Sequence, residues 1–371
     1  MSIQTQNILN ELNSWLAILI KHHGTDLHVK SNALVRARIK GSILPLNKAP
    51  IPEHTIEGLI KSLMGDRYHT FKDIQEFDGT YSFSNEYRFR VNIYMHYAGY
   101  ALNFRLIPQE IKTIEELNLP TQIHKLSKLE RGLVLVTGTT GSGKSTLLAS
   151  VIDEINKNSR KHIITIEDPI EYIYNDDKSI IEQREIGQHT KSFSSALRAA
   201  LREDPDVIVV GEIRDLDTAE SILQAVNTGH LVFSTVHTLD AKETIDRMIS
   251  IFPSEEQNRV RATLATTLEA IVSQRLIKGL NNNMLPAVEM MFKSPLVQEL
   301  IRSKRDNEIT DVLEKEGNSF GSMTFNQSLF ELTLKGKISE ETACQYATSP
   351  ADLKLMLSLS EAYTNKLKKK S

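Results

Sequence analysis

One eight-residue stretch constrains the fold of this 371-residue chain more than any other: Gly138-Thr139-Thr140-Gly141-Ser142-Gly143-Lys144-Ser145. It fits G-x-x-x-x-G-K-[ST] in full, a pattern that a chain of this length meets by chance on the order of once in a hundred. The apolar run Leu133-Val-Leu-Val-Thr137 leads into it, and Leu147, Leu148, Val151, Ile152 and Ile155 follow at helical spacing. A strand that feeds a glycine-rich loop into a helix N-terminus aims backbone N–H groups at a phosphate. Lys144 then neutralises β- and γ-oxygens, and Ser145 offers its hydroxyl to Mg²⁺. The whole run from Gly138 to Thr146 is the candidate nucleotide-binding segment.

The texture around the loop is that of an α/β domain. Ile163-Ile-Thr-Ile166, Val207-Ile-Val-Val210 and Leu231-Val-Phe-Ser-Thr235 are continuous β-branched or apolar runs. Such runs suit strands buried on both faces of a parallel sheet. Helical patterns separate them, as at Ala219, Ile222, Leu223 and Val226.

Residues 1–110 read differently. A helical stripe (Ile8, Leu9, Leu12, Trp15, Leu16, Leu19) ends at Gly24. Alternating segments follow, notably Tyr87–Tyr94 and Tyr100–Ile107, and predict a mixed α+β domain with an antiparallel sheet. Residues 111–131 are expected to be a linker, and 132–371 the α/β domain. Beyond about residue 256, Leu264, Leu268, Ile271, Val272 and Leu276 read as one helical stripe, and about 285–371 as a helical region. The terminal Lys366-Leu-Lys-Lys-Lys370 reads as a solvated charged tail.

Three sets of polar residues flank the predicted strand ends. Asp206-Val-Ile-Val-Val-Gly-Glu212 is an apolar strand ending in a carboxylate, which makes Glu212 the candidate to orient or deprotonate an attacking water. Glu167-Asp168-Pro-Ile-Glu171 follows another such strand, on the ligand side of a parallel sheet. There Glu167 is a candidate to hold Mg²⁺ through water, while Asp168 and Glu171 read equally as helix caps or ion-pair partners. His230 and His237 flank the strand 231–235. A histidine so placed is a structural group or a phosphate contact, and the pair lacks a third soft ligand for a metal.

Composition closes several other routes. Lys+Arg number 44 against Asp+Glu 47, a net charge of −3, so there is no basic coat for nucleic acid. The single cysteine, Cys344, excludes a disulfide within the chain and any zinc site of two or more thiolates. It suggests a reducing compartment. The start of the sequence lacks the basic and apolar run of a signal peptide, and Trp15–Ile20 is far short of the about 20 residues a spanning helix needs.

Taken together, the phosphate loop, Ile166-Glu-Asp-Pro-Ile-Glu171, Arg198-Ala-Ala-Leu-Arg-Glu-Asp-Pro-Asp-Val-Ile208, Gly211-Glu-Ile-Arg-Asp215 and Thr228-Gly-His-Leu-Val232 resemble the secretion-type ATPases. The nearest branch is the PilT/PilU family of type IV pilus retraction motors. Asp26-Leu-His28, Arg88-Phe-Arg-Val-Asn92 and Val272-Ser-Gln-Arg-Leu276 carry the resemblance across nearly the whole chain, the last as part of later helices.

The resemblance implies a PAS-like α+β domain ahead of a RecA-like P-loop domain, assembled as a homohexameric ring that hydrolyses ATP with Mg²⁺. Its Walker A falls on Gly138–Ser145, its Walker B glutamate on Glu212, its Asp box on Glu167, Asp168 and Glu171, and its His box on His230 to His237. Arg90 and Arg105 would be the N-terminal arginines that approach nucleotide phosphates, which the alternation alone reads as surface charges. It further implies a cytoplasmic protein peripheral to the inner face of the cytoplasmic membrane. Its partners would be an inner-membrane pilus platform protein and a paralogous retraction ATPase, with no nucleic acid.

One departure bears on mechanism. Leu296-Val-Gln-Glu-Leu-Ile301 stands where PilT carries Ala-Ile-Arg-Asn-Leu-Ile, keeping the closing Leu-Ile and losing the arginine. That motif is linked to retraction, so an accessory ring that docks on a partner ATPase is the alternative. An assembly motor is disfavoured because those relatives usually carry a four-cysteine element.

Overall fold

The computed structural model describes residues 3–84, 87–108 and 110–360; the expected tail at 366–370 lies outside them. The chain forms two compact units, residues 1–110 with 169–173, and 111–168 with 174–371.

The first unit contains α1 (Ile3–Lys21), β1 (Gly24–Lys30), β2 (Arg36–Ile39), β3 (Ser42–Pro45), α2 (Glu53–Met64), α3 (Tyr68–Ile74), β4 (Glu76–Ser82), β5 (Arg88–His96) and β6 (Gly99–Leu106). Its strands pair antiparallel in the order β3-β2-β1-β6-β5-β4. Alternation decides the faces, because successive strand residues point to opposite sides. Phe89, Val91, Ile93, Leu102 and Phe104 turn inward against Leu12, Leu16 and Leu19 of α1 and Ile56, Leu59 and Ile60 of α2. Arg90 and Arg105 take the other face, directly opposite each other across β5 and β6.

The second unit runs β7 (Gly132–Thr137), α4 (Lys144–Asn158), β8 (His162–Glu167), β9 (Ile180–Glu185), α5 (Phe193–Ala200), β10 (Val207–Val210), α6 (Leu216–Asn227), β11 (Leu231–Val236) and α7 (Ala241–Ser250). It continues with α8 (Gln257–Thr267), β12 (Leu268–Lys278), β13 (Met284–Phe292), α9 (Pro295–Arg302), α10 (Ile309–Phe320), α11 (Phe325–Leu334), α12 (Glu340–Tyr346) and α13 (Pro350–Leu359). The seven strands lie in the order β13-β12-β7-β11-β10-β8-β9. All neighbours are parallel except β12 and β13.

Both faces of this sheet are covered, as the continuous apolar runs predict. Leu133, Leu135, Ile164, Ile208 and Val232 face one core with α5 to α10, while Val134, Val136, Ile163, Val209 and Phe233 face another with α4. The α/β expectation, with a mixed α+β unit ahead of a RecA-like unit, therefore holds.

Three parts of the sequence reading change. Residues 111–131, expected as a linker, are fastened to the second unit: Ile114, Leu119, Ile123 and Leu126 are buried in the core beneath α4. The stripe read as helix through Leu276 ends at Thr267, and Leu268–Lys278 is a strand. It pairs parallel with β7 and antiparallel with β13, which also puts a strand at the start of the region expected to be helical. Local periodicity misleads here because β12 is buried on both sides, so its apolar run matches helix and strand alike. Beyond β13 the helices expected there do form, and Phe325, Leu329, Leu353 and Leu357 close a smaller core on Ile277 and Leu285.

Buried within this region is Glu289 of β13, 5% exposed. Burial pushes its carboxyl up to about 7, although the Ala241 N–H at the start of α7 donates to its Oε1 at 2.9 Å. A proton bound more tightly in the folded than in the unfolded chain favours folding below the unfolded pKa. That advantage is lost as pH rises through about 7. Glu289→Gln removes the titration and keeps an acceptor for Ala241. We expect its melting temperature to match the parent near pH 5 and to exceed it at pH 8. A gain on the order of 1 kcal/mol corresponds to about 2–4 °C for a unit of this size. Thermal unfolding across that pH range checks it; a gap that does not widen with pH refutes it.

Candidate active site

The phosphate loop leaves β7 at Thr137 and enters α4 at Lys144. Gly138, Gly141 and Gly143 have φ of 144°, 79° and 89°, backbone that residues with a Cβ rarely adopt. Lys144 is buried, and its Nζ donates to the carbonyls of Gly138 at 2.8 Å and Thr139 at 2.9 Å. The ammonium thus sits within the loop itself. Thr139, Thr140 and Gly141 are exposed at its crest, while Ser142 is buried.

Sheet register gathers the other groups at the same edge. Thr137 lies opposite Val236, and Ser234 and Ile166 both lie opposite Val210, so β7, β8, β10 and β11 end side by side. Just past β10, Gly211 N–H donates to the Ile166 carbonyl at 2.8 Å, and Thr235 Oγ1 donates to the Gly211 carbonyl at 2.6 Å. These bonds fix where Glu212 emerges. Its carboxylate is ion-paired with Arg214, and His237 Nε2 lies 3.5 Å from its other oxygen. Glu167, closing β8, accepts from Thr165 Oγ1 at 2.6 Å and from Gln183 Nε2 of β9 at 3.1 Å on one oxygen. Arg214 Nη1 also lies 3.9 Å from Asp168, whereas Glu171 falls in the 169–173 segment that groups with the first unit.

The structure separates the two histidines. His237 follows the C-terminal end of β11, with Glu212. His230 precedes Leu231, which pairs with Gly132 at the start of β7. Six strand residues of about 3.3 Å each, roughly 20 Å, lie between His230 and the loop edge. His230 Nδ1 instead sits 3.0 Å from both the Ala225 carbonyl and Thr228 Oγ1, at the end of α6. The register therefore keeps His230 away from the phosphate loop of its own chain, against the expected nucleotide contact.

In the first unit, Arg105 Nε donates to Asp26 Oδ1 at 2.7 Å, and Arg90 Nη2 lies 3.8 Å from Asp78. Burial alone would raise the Asp26 carboxyl. The Thr25 hydroxyl and the Arg105 guanidinium outweigh it and hold the group below the usual carboxylate range. Two like charges directly opposite on a sheet repel. The flanking carboxylates offset that cost and leave the Arg90 and Arg105 side chains 45% and 72% exposed.

Sequence reasoning missed Arg214, Gln183 and, above all, β12. Thr137 Oγ1 donates to Ser273 Oγ at 2.9 Å, and Gln274 Nε2 donates to the Ser142 carbonyl at 2.7 Å. Ser273 and Gln274, with Arg275, interrupt the apolar residues of the 270–277 run, which was the available signal.

Comparison with known proteins gives the arrangement a context. The family described as Type II/IV secretion system protein matches residues 8–319. This chain belongs to that family. Among type II/IV secretion system proteins it is 40% identical to the type IV pilus retraction ATPase PilT of Pseudomonas aeruginosa over 343 residues, 92% of this chain and 99% of PilT. The type IV pilus ATPase PilU of the same organism is 36% identical over 351 residues, 94% and 92% of the two chains. A crystal structure of the pilus retraction motor PilT with bound ADP superposes with a TM-score of 0.85 at 39% identity, covering 93% of this chain and 99% of that one. Like these secretion system proteins, the chain is a P-loop ATPase of the PilT/PilU branch.

Proposed function

We propose that this chain is a Mg²⁺-dependent motor that works as a homohexameric ring and powers type IV pilus retraction by ATP hydrolysis. The observation that carries the reading is the near-full-length match to PilT on a chain that keeps the phosphate loop and Glu212 at one sheet edge. In this reading Gly138 to Thr146 hold the nucleotide, with Lys144 on the β- and γ-phosphates. Glu212, steadied by Arg214 and His237, orients the attacking water and takes its proton. Arg90 and Arg105 supply guanidinium charge to the transferring phosphoryl group.

The donor set suits Mg²⁺ carried in on phosphates. Among the described residues no group of three or more His, Cys, Asp or Glu side chains could cage a metal. Mg²⁺ commonly binds through one or two protein oxygens plus phosphate and water. Ser145 would supply the hydroxyl and Glu167 a contact through water. The ion supplies charge neutralisation at the γ-phosphate.

Among the described residues no helix is long and apolar enough to cross a membrane. We assign the ring to the inner face of the cytoplasmic membrane, against the pilus platform protein. A second reading, an accessory ring docked on a partner retraction ATPase, is favoured by Gln298 of α9, which stands where the PilT motif carries its arginine, and by the similarity to PilU. Deleting the gene in its own bacterium and counting surface pili tests both. Excess pili without twitching supports the motor, and normal numbers with weak traction supports the accessory ring. Bald cells overturn retraction.

A further inference from the structure

The neighbour of the phosphate loop across the sheet is β12, and one of its residues touches the loop at three points. Gln274, 4% exposed, donates its Nε2–H to the Ser142 carbonyl at 2.7 Å. A Cβ on Gly138 would collide with the Gln274 carbonyl oxygen, and one on Gly143 would come within 2.6 Å of Gln274 Nε2. Two loop glycines are therefore needed for close approach to Gln274 as well as for their φ. The amide can sit only one way round, because the Ser142 carbonyl accepts and cannot donate.

We propose that Gln274 is a positioning residue for nucleotide binding, its amide fixing the Ser142–Gly143 peptide of the phosphate loop. A trans peptide points its C=O and N–H in opposite directions. Holding the Ser142 carbonyl toward β12 aims the Gly143 N–H away from β12, at the start of α4. Two bonds of this corner come from one strand: Ser273 takes the Thr137 hydroxyl, and Gln274 takes the Ser142 carbonyl. Without the amide donor, the buried carbonyl loses its partner and the peptide is free to rotate. The loop must then spend binding energy on ordering itself each time a nucleotide arrives.

The test uses the full-length protein and the Kd for a fluorescent N-methylanthraniloyl-ADP with Mg²⁺, together with KM and kcat for ATP. Gln274→Met keeps length and volume and removes the donor. Its Kd and KM are expected to rise about tenfold, the upper end for losing one neutral hydrogen bond. Its kcat at saturating ATP is expected to stay within about twofold, because bound nucleotide restores the loop. Ile277→Val, on the same strand but in the C-terminal core, is the control: it lowers the melting temperature and leaves Kd unchanged. An unchanged Kd in folded Gln274→Met, or an equal rise in Ile277→Val, overturns the proposal. Should Gln274→Met not fold, Gln274→Glu carries the same test, with a larger rise expected because its carboxylate faces the Ser142 carbonyl. Failure of both to fold would assign Gln274 to stability alone and overturn the proposal.

Discussion

Glu212→Gln lowers ATP turnover by about 10²–10⁴-fold, the range a positioned general base contributes, while ADP affinity stays within a few-fold. The asymmetry follows from where the residue sits. Glu212 emerges past β10, held by Gly211 and Thr235, and touches neither the loop carbonyls nor Lys144 in any contact described above. Glutamine preserves shape and one acceptor, so the strand end survives. What it loses is the negative charge that pairs with Arg214 and that would take a proton from water. Phosphate release under saturating ATP, beside ADP titration of the same preparation, reads both quantities. Equal turnover in parent and variant removes Glu212 from the reaction.

Lys144→Ala is expected to abolish nucleotide binding in the accessible range. A ligand present at 100 times its Kd stabilises the folded state by about 2.7 kcal/mol, which is roughly 5–10 °C for a unit of this size. That shift should vanish in the variant. Without nucleotide, its melting temperature should stay level or rise. The buried ammonium is desolvated, so its removal relieves a cost that offsets the two carbonyl bonds it gives up. Thermal melts with and without Mg²⁺ and ADP separate the two effects. A surviving ADP shift would place the phosphates elsewhere.

The loop was legible because its chemistry is local: glycines, a lysine and a serine at fixed spacing, between a strand and a helix. The four central strands were legible because burial on both faces leaves few polar interruptions. Glu212 and Glu167 followed from being the first acids past such strands. What stayed hidden depended on register. Nothing near His230 says that it stands at the opposite end of β11 from the phosphate loop; the pairing of Leu231 with Gly132 says so. Arg90 and Arg105 look like ordinary alternating charges until β5 and β6 are aligned and the two guanidiniums face each other. Gln274 was hidden twice, once by its distance in sequence and once by an apolar run that mimics a helix.

The parallel pairing of β7 with β12 also has a consequence during synthesis. β7 ends at Thr137, yet one of its two neighbours is not complete until Lys278. A ribosome adding about 5–20 residues per second makes the loop well before it makes the strand that braces it. During that interval the emerging chain has its glycine-rich segment without Ser273 or Gln274, and one edge of β7 lacks its partner. A nascent subunit of this kind is an incomplete nucleotide binder and an open template for a neighbouring strand. Chains released before β12 should therefore aggregate instead of competing with finished subunits for ATP.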